Sequence, residues 1–284
     1  MNRRLIDLPK EIFKLPLLES ILASLTNNKN PNQIIARLPP LYRAYPKNSI
    51  RKVTRNGIKY ELDISDYMEW LVFYGIQAEP HNALYDLLKD GDVVFDVGAN
   101  IGEVSLNMSK RVGHRGIIHS FEPEPFIFSK ISRNLSLNLF TNIHLNNIAM
   151  GDQKKELFLK PQVENNRGGT RIHATSNNGK KVNVSTIDFY TEEHGLKKLD
   201  LIKIDVEGFE MKVLHGAKKV LQKFKPLLFI EVNDNNLKEQ GNSAASLIEF
   251  LFKIGYTNIE HSENKKTIDS NTNFLNCHFD IIAR

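Results

Sequence analysis

Short apolar runs alternate with segments of helical periodicity through most of the chain after residue 50. The apolar runs end at turn residues and cover residues 93–97, 116–121, 143–149, 199–204 and 227–232. The segments with helical spacing cover residues 101–112, 125–139, 209–224 and 243–254. Nearly continuous apolar strands joined by helices are typical of a parallel sheet that is covered on both faces. The predicted fold class is therefore α/β, with a doubly wound, Rossmann-like sheet.

Two other segments depart from that alternation. Residues 53–65 alternate around Asn56-Gly57, which predicts a β-hairpin. The last two apolar segments, 255–263 and 276–284, have no helix between them. We expect the sheet to finish in an antiparallel pair.

Residues 1–45 contain an amphipathic stretch, a polar break and a proline-rich segment. This pattern predicts one or two helices and a linker, so we divide the chain into an N-terminal helical extension (1–49) and one large domain (50–284). The extension could cap the main domain, mediate self-association or touch a membrane surface, and capping is the preferred interpretation.

A long polar segment, residues 161–180, separates two strand-like segments within residues 152–188. Its length indicates either a surface insertion or a lid over a site. Asn166 and Arg167 suit contacts with sugar or phosphate groups, so they are candidate substrate residues; a plain linker is the alternative.

The composition is that of a globular protein, with 41% hydrophobic and 25% charged residues in a chain of 284. The net charge of +5 is spread out without a long basic block, so we predict no nucleic-acid partner. The single cysteine excludes a disulfide within the chain and a thiolate zinc site. Charged residues interrupt the apolar stretch at the N-terminus, which disfavours a signal peptide. No apolar stretch is long enough to span a bilayer. We expect a cytoplasmic protein with at most peripheral membrane contact.

The first strand of the sheet is followed by a glycine turn, "FDVGANIGE". Ligands of open α/β sheets bind where the strands end, so Asp96, Gly98, Asn100 and Gly102 are candidate cofactor-binding residues. Gly98 allows a sharp turn and Gly102 allows close helix packing. The dinucleotide fingerprint requires a glycine where Asn100 stands, which disfavours an NAD-dependent oxidoreductase. An acid at Asp96 would repel a pyrophosphate but suits a cationic ligand such as S-adenosylmethionine.

The ends of the next two strands add candidates for the same ligand. Glu122 follows the second strand at the interval typical of a ribose-binding acid, and its two oxygens could accept two ribose hydroxyls. Ala149 and Met150 lie at the end of the third strand and could flank an adenine ring, or they could belong to a plain loop.

These residues also resemble a known family. The segments "FDVGANIGEVSLNMS", "SFEPEP", "NNIAMGD", "VSTIDFY" and "LIKIDVEGFEMKVLHGA" are similar to the FkbM-type S-adenosylmethionine-dependent methyltransferases, over roughly residues 53–260. The resemblance implies a class I methyltransferase domain with a seven-stranded sheet whose last strand is antiparallel. It also implies S-adenosylmethionine as the cofactor and a small-molecule or glycan acceptor.

Asp205 and Glu207 follow the fourth strand, in "IKIDVEG". On an extended chain two residues this far apart point to the same side, and burying both charges is costly unless they have a partner. We predict that they are the catalytic residues, with Asp205 as the general base and Glu207 in a positioning role. The two roles could be exchanged, or the acids could serve a turn and a helix start.

Glu231 and Asn233 lie at the end of the fifth strand, in "FIEVNDNN", and are candidate substrate contacts. Oxygen ligands from adjacent strand ends could bind a divalent metal, as in catechol-type O-methyltransferases of similar fold. The spacing differs from such a site, so a metal is not favoured and no metal ligands are assigned.

The predicted function is S-adenosylmethionine-dependent O-methylation of a hydroxyl, with a sugar hydroxyl preferred. An amino-group methyltransferase acting on nucleic acid is disfavoured because "DVEG" stands where an Asp/Asn-Pro-Pro-aromatic signature would be expected. A protein methyltransferase and a non-catalytic nucleotide-binding module remain alternatives, and the oligomeric state is not predicted.

Overall fold

The computed structural model describes residues 8–76, 81–160, 171–173, 179–269 and 272–284. The described chain forms two compact units. One contains residues 8–76 and 136–138, and the other contains the remainder.

The first unit combines short helices with a β-hairpin. Its helices are α1 (Pro16–Leu25) and α2 (Tyr67–Tyr74), and its hairpin is β1 (Ile50–Arg55) and β2 (Ile58–Asp63). Three 3₁₀ segments complete it: Leu8–Lys14, Ile34–Arg37 and Tyr42–Ala44. Asn56 and Gly57 both have positive φ angles, 51° and 79°, as a tight hairpin turn needs, and the predicted hairpin is confirmed. The domain boundary between residues 49 and 50 stays a prediction.

The second unit is built on a seven-stranded sheet and a four-stranded sheet. The strands are β3 (Val93–Val97), β4 (Ile117–Phe121), β5 (Ile143–Asn146), β6 (Ala149–Met150), β7 (Lys155–Lys160), β8 (Arg171–His173), β9 (Lys180–Ser185), β10 (Leu201–Ile204), β11 (Leu227–Asn233), β12 (Ile259–His261) and β13 (His278–Ala283). The helices are α3 (Asn82–Leu87), α4 (Glu103–Val112), α5 (Pro125–Ser136), α6 (Ile187–Glu193), α7 (Glu210–His215), α8 (Lys218–Phe224), α9 (Asp234–Glu239) and α10 (Ala244–Lys253).

The large sheet has the order β12-β13-β11-β10-β3-β4-β5. All neighbours are parallel except β13, which lies antiparallel between β11 and β12. Side chains alternate between the two faces, so Phe95 packs into one apolar core and Val94 into another. The predicted α/β fold and the antiparallel terminal pair are confirmed.

The small sheet has the order β6-β9-β7-β8. One of its strands, β9, is shorter than the sequence pattern indicates. Residues 180–190 are strand-like in sequence, but β9 ends at Ser185 and α6 begins at Ile187. The Thr186 hydroxyl accepts a hydrogen bond from the Phe189 amide and so caps the new helix.

Two other predicted elements are divided. The expected helix over residues 209–224 forms α7 and α8, separated by Gly216 and Ala217. Glycine is a poor helix former, which favours a break at this point. The apolar run over residues 143–149 splits because β5 ends at Asn146, and Ala149 then pairs with Val184 of the small sheet.

Candidate active site

The glycine turn after β3 lies where the strand order of the sheet reverses, between β3 and β10. Gly98 has a φ of 86°, and a Cβ atom there would lie 1.8 Å from the carbonyl oxygen of Asp205. Only glycine fits both the backbone conformation and the space. The ends of β3 and β10 therefore touch through their backbones, at the position where open α/β sheets bind ligands.

The rest of the turn is held against β4 and α5. The Gly98 and Ala99 amides both donate to the Phe121 carbonyl, at 3.1 Å. A Cβ atom at Gly102 would lie 2.5 Å from Cγ1 of Ile131, which explains the close approach of α4 to α5. The turn is thus fixed by neighbours on both sides.

The Glu122 side chain is hydrogen-bonded to this turn, as the sequence predicts. Its Oε2 accepts a hydrogen bond from the Asn100 amide at 3.0 Å, and its Oε1 accepts one from the Glu124 amide at 2.9 Å. The side chain is largely buried, and burial raises the pKa of Glu122 to about 7. The ends of β3 and β4 therefore bring a carboxyl group to the glycine turn.

Asp96 lies beneath the turn, with no exposed surface. Ser105 Oγ donates to its Oδ2 at 2.5 Å, and Lys203 Nζ lies 3.3 Å from its Oδ1. The side chain therefore ties β3 to α4 and β10, whereas the sequence suggested that it would face a cationic ligand.

Lys203, which sequence reasoning missed, links the parts of the site. Its Nζ donates to the Gly98 carbonyl at 2.9 Å and lies 3.2 Å from Oδ2 of Asp205. Burial alone would lower the pKa of Lys203, but the charges of Asp205 and Asp96 outweigh it and the pKa is raised. The signal in the sequence was a lysine inside the apolar strand "LIKI".

Asp205 and Glu207 do not share the extended geometry that their spacing suggested. Strand β10 ends at Ile204, and Glu207 has a φ of 53°, in the left-handed region. Asp205 pairs with Lys203 and is 38% exposed, whereas Glu207 Oε2 accepts a hydrogen bond from Asn236 Nδ2 at 2.8 Å. Because the chain turns between them, the two carboxyl groups have different partners.

Two further carboxyl groups border this region. Glu210 is buried, and its Oε1 accepts hydrogen bonds from the Val206 and Gly208 amides at 3.2 and 3.0 Å. Burial raises the pKa of Glu210 to about 7. Burial, followed by the charge of Asp96, also raises the pKa of Glu103 to about 7. Sequence reasoning assigned neither residue.

His81 at the start of α3 belongs to the same electrostatic neighbourhood. Its ring centroid lies 6.3 Å from that of Phe229 on β11. Burial and the Lys203 charge lower its pKa to about 4, against the opposing effect of Asp205 and Asp96. The imidazole is therefore neutral near pH 7.

The other site residues predicted from the sequence are either buried or bonded to neighbouring side chains and amides, where the structure describes them. Ala149 and Met150 are buried in β6. Glu231 Oε1 lies 2.8 Å from His278 Nε2, and the Asn233 side chain accepts a hydrogen bond from the Asn236 amide at the start of α9. Asn166 and Arg167 lie outside the described residues.

Within the described part of the chain, no group of three or more His, Cys, Asp or Glu side chains is placed to hold a metal ion. Of the helices among these residues, none combines the length and apolar character needed to cross a bilayer.

The fold and the glycine turn define the class of protein. A seven-stranded sheet with β13 inserted antiparallel, and a glycine turn at the reversal of strand order, is the class I methyltransferase form of the Rossmann-like fold. The family model described as the Methyltransferase FkbM domain matches residues 96–257. This match covers more than half of the chain, so the protein belongs to the FkbM methyltransferase family, and the predicted resemblance is confirmed.

Curated relatives share up to about three tenths of the aligned residues. The chain is 28% identical to "Methyltransferase sdnD" of Sordaria araneosa over 168 residues, covering 47% of this chain and 64% of that protein. It is 28% identical to "Hexuronic acid methyltransferase AglP" of Haloferax volcanii over 141 residues (49% and 55%). It is 23% identical to "2-O-methyltransferase NoeI" of Sinorhizobium fredii over 190 residues (60% and 76%). The chain spans less than two thirds of the first two of these relatives.

Among solved structures, the chain is similar to the FkbM methyltransferase of Methylobacillus flagellatus, with a TM-score of 0.45 and 17% identity. The similarity covers 69% of this chain and 44% of that one. The fold assignment therefore depends on this protein's own strand order.

Proposed function

We propose that this protein is an S-adenosylmethionine-dependent methyltransferase that methylates a hydroxyl oxygen. The observation that carries the proposal is the hydrogen bond between the Asn100 amide and Glu122, which sets a carboxyl group beside the bare backbone at Gly98. Membership of the FkbM family supports it.

The residues around the turn fit this cofactor chemically. Each Glu122 oxygen accepts one hydrogen bond from a backbone amide and keeps a lone pair for a ribose hydroxyl. Asp205 adds negative charge beside the turn, which favours a cationic ligand, although Lys203 offsets part of it. When bound, S-adenosylmethionine supplies a methyl group carried on a positively charged sulfur.

The remaining cofactor residues keep the places predicted for them, with two changes. We assign Gly98, Asn100 and Gly102 to the turn that carries the cofactor. We assign Ala149 and Met150 to its adenine end through their backbone only, because their side chains are buried in β6. Asp96 acts as a positioning residue that holds this turn through Ser105 and Lys203, because its own side chain is buried.

Transfer to oxygen requires a group that accepts the hydroxyl proton. Asp205 is our first candidate, because its side chain is 38% exposed and lies at the end of β10. His81 is the second, since its lowered pKa of about 4 leaves it unprotonated near pH 7. Glu207 is assigned a positioning role through its hydrogen bond with Asn236.

We assign the acceptor to the sugars, as a hydroxyl of a saccharide or glycolipid. One relative carries a name that specifies a hexuronic acid, which supports a sugar acceptor, and another carries a name that specifies a 2-O position, which supports transfer to oxygen. Glu231, Asn233, Asn166 and Arg167 remain our candidates for acceptor contacts, and no metal ligand is assigned.

Calorimetric titration with S-adenosylmethionine tests the cofactor assignment. Glu122→Gln keeps the size of the side chain but removes the charge, and we expect the affinity to fall at least about tenfold. Glu239→Gln alters an exposed glutamate and serves as the matched control. Wild-type affinity in Glu122→Gln, or no binding by the wild type, would refute the assignment.

Transfer of a labelled methyl group tests the acceptor. The protein would be incubated with uronic-acid glycosides, neutral-sugar glycosides and a non-sugar alcohol. Label in a sugar ether supports the proposal. Label confined to the non-sugar alcohol would disprove the sugar assignment while keeping the reaction class, and label on nitrogen would disprove O-methylation.

A further inference from the structure

Helix α1 turns large apolar side chains toward solvent. Leu17, Ile21 and Leu25 stand one turn apart and are 74%, 47% and 53% exposed. Just before the helix, Ile12 and Leu15 are 55% and 56% exposed. We call these five residues the apolar surface.

The only charge in α1 points inward. Glu19 is buried, and its Oε2 accepts a hydrogen bond from Nε of Arg51 at 2.5 Å. The outer face also carries Ser20 and Ser24, which are small and uncharged. A surface helix of a globular protein normally has the opposite arrangement, with charged residues outside.

The N-terminal segment also holds the net positive charge of the chain. Residues 1–48 contain eight Lys and Arg residues and three Asp and Glu residues, an excess equal to the +5 of the whole protein. Arg37, Arg43 and Lys47 are exposed. Lys10 and Lys14 donate to the Arg37 and Ala44 carbonyls, which ties the segment carrying Ile12 to the segment that carries these cations.

An exposed apolar surface on a basic segment matches the chemistry of a bilayer with anionic headgroups. Apolar side chains enter the boundary between headgroups and acyl chains, and lysine and arginine side chains meet the negative surface. A symmetric contact between two copies of this chain would instead bring basic segment against basic segment, which like charges oppose. The net positive charge of the N-terminal segment therefore favours an anionic membrane over a second copy of the chain as the partner of the apolar surface.

We propose that the apolar surface docks on an anionic membrane, with α1 lying in the plane of the headgroups. This inference does not depend on the proposed methyl transfer. It assigns to residues 1–49 a role that the preferred sequence interpretation, a cap on the main domain, did not include.

Co-sedimentation with vesicles tests the proposal. Full-length protein would be mixed with vesicles of roughly 3:1 phosphatidylcholine and phosphatidylglycerol, and with pure phosphatidylcholine. We expect binding to the mixed vesicles that weakens as salt is added. The triple variant Leu17→Ser/Ile21→Ser/Leu25→Ser should bind at least about tenfold more weakly.

A matched variant tests whether vesicle binding requires this apolar surface or only exposed leucine side chains in general. Leu139 and Leu275 are 99% and 70% exposed in the other unit, so Leu139→Ser/Leu275→Ser should bind vesicles like the wild type. Equal losses in both variants, or unchanged binding in the triple variant, would overturn the proposal. A dimer that the triple variant dissociates, with no vesicle binding by the wild type, would assign the surface to a second copy instead.

Fluorescence gives a second measurement that does not require the triple variant. The single native tryptophan, Trp70, is buried, so Ile21→Trp places a separate emitter on the apolar surface. We expect bromine-labelled lipid chains to quench the Ile21→Trp protein clearly more than the wild type. Equal quenching of the two proteins would contradict insertion of α1.

Discussion

Lys203 on β10 lies directly opposite Asp96 on β3, and its Nζ is 3.3 Å from the carboxylate oxygen of Asp96. The same ammonium group lies 3.2 Å from Asp205, and both Lys203 and Asp96 are buried. One cation thus joins the two strands whose ends form the candidate site.

We expect Lys203→Met to destabilise the protein by about 3–5 kcal/mol, because it leaves the buried carboxylate of Asp96 without its cation. Urea unfolding measures the change. Lys198→Met removes an exposed lysine from its pair with the half-buried Asp200 and should cost less than about 1 kcal/mol. Similar losses in the two variants would show that the buried pair contributes no more than a surface pair.

Gly98→Ala should destabilise the protein by at least about 3 kcal/mol, since a strained backbone and a clash with the Asp205 carbonyl act together. Gly241 also has a positive φ, 77°, but a Cβ atom there meets nothing within 4 Å. Gly241→Ala therefore isolates the backbone strain and should cost about 1 kcal/mol. Thermal or urea unfolding that ranks the two variants equally would contradict the close approach of β3 and β10.

The buried carboxyl groups predict that the free protein loses stability as pH rises. Glu210 has an ordinary pKa of 4.5 and a folded pKa of about 7, so below 4.5 it is protonated in both states. Between these values the unfolded chain releases the proton and the folded protein retains it. Rising pH then favours unfolding, by up to about 3 kcal/mol for this group.

Glu210→Gln should reduce this dependence, because the amide oxygen can still accept the bonds from the Val206 and Gly208 amides but does not titrate. The measurement is the free energy of unfolding across the window from 4.5 to about 7. Glu239→Gln is the surface control. Identical pH profiles for wild type and Glu210→Gln would mean that Glu210 does not carry this shift.

Cofactor affinity should follow the opposite course with pH. The ribose hydroxyls donate to Glu122, so the ionised carboxylate binds best, and its pKa of about 7 predicts tighter binding of S-adenosylmethionine as pH rises through that value. Titrations on either side of this pH measure the effect. Glu122→Gln should remove the rise, and a rise that persists in the variant would assign it to another group.

The proton acceptor can be identified by rate measurements at saturating cofactor. Asp205→Asn should lower kcat by about 10²–10⁴-fold if Asp205 is the base. His81→Gln tests the second candidate in the same way. Loss of cofactor binding in Asp205→Asn, with normal turnover once the cofactor is bound, would instead give Asp205 a binding role.

Local sequence signals were sufficient to predict an element whose structure is decided by the residues of one short segment. Asn56-Gly57 identified the hairpin, and the apolar runs identified the strands of the large sheet. They were insufficient where a capping hydrogen bond or a backbone conformation that the apolar pattern does not show decides the outcome. Thr186 begins a helix inside a strand-like stretch, and the left-handed Glu207 separates two carboxyl groups that the spacing alone would set side by side.

The amino-acid sequence by itself determined the α/β sheet, the glycine turn and the presence of Glu122 at the neighbouring strand end, because periodicity and glycine spacing act over a few residues. Only the tertiary structure decided that Asp96 is buried, that Lys203 holds it to Asp205, and that α1 exposes its apolar side. Such outcomes depend on which charges and surfaces meet after the chain folds. The sheet register brings together Asp96 and Lys203, which are far apart along the chain.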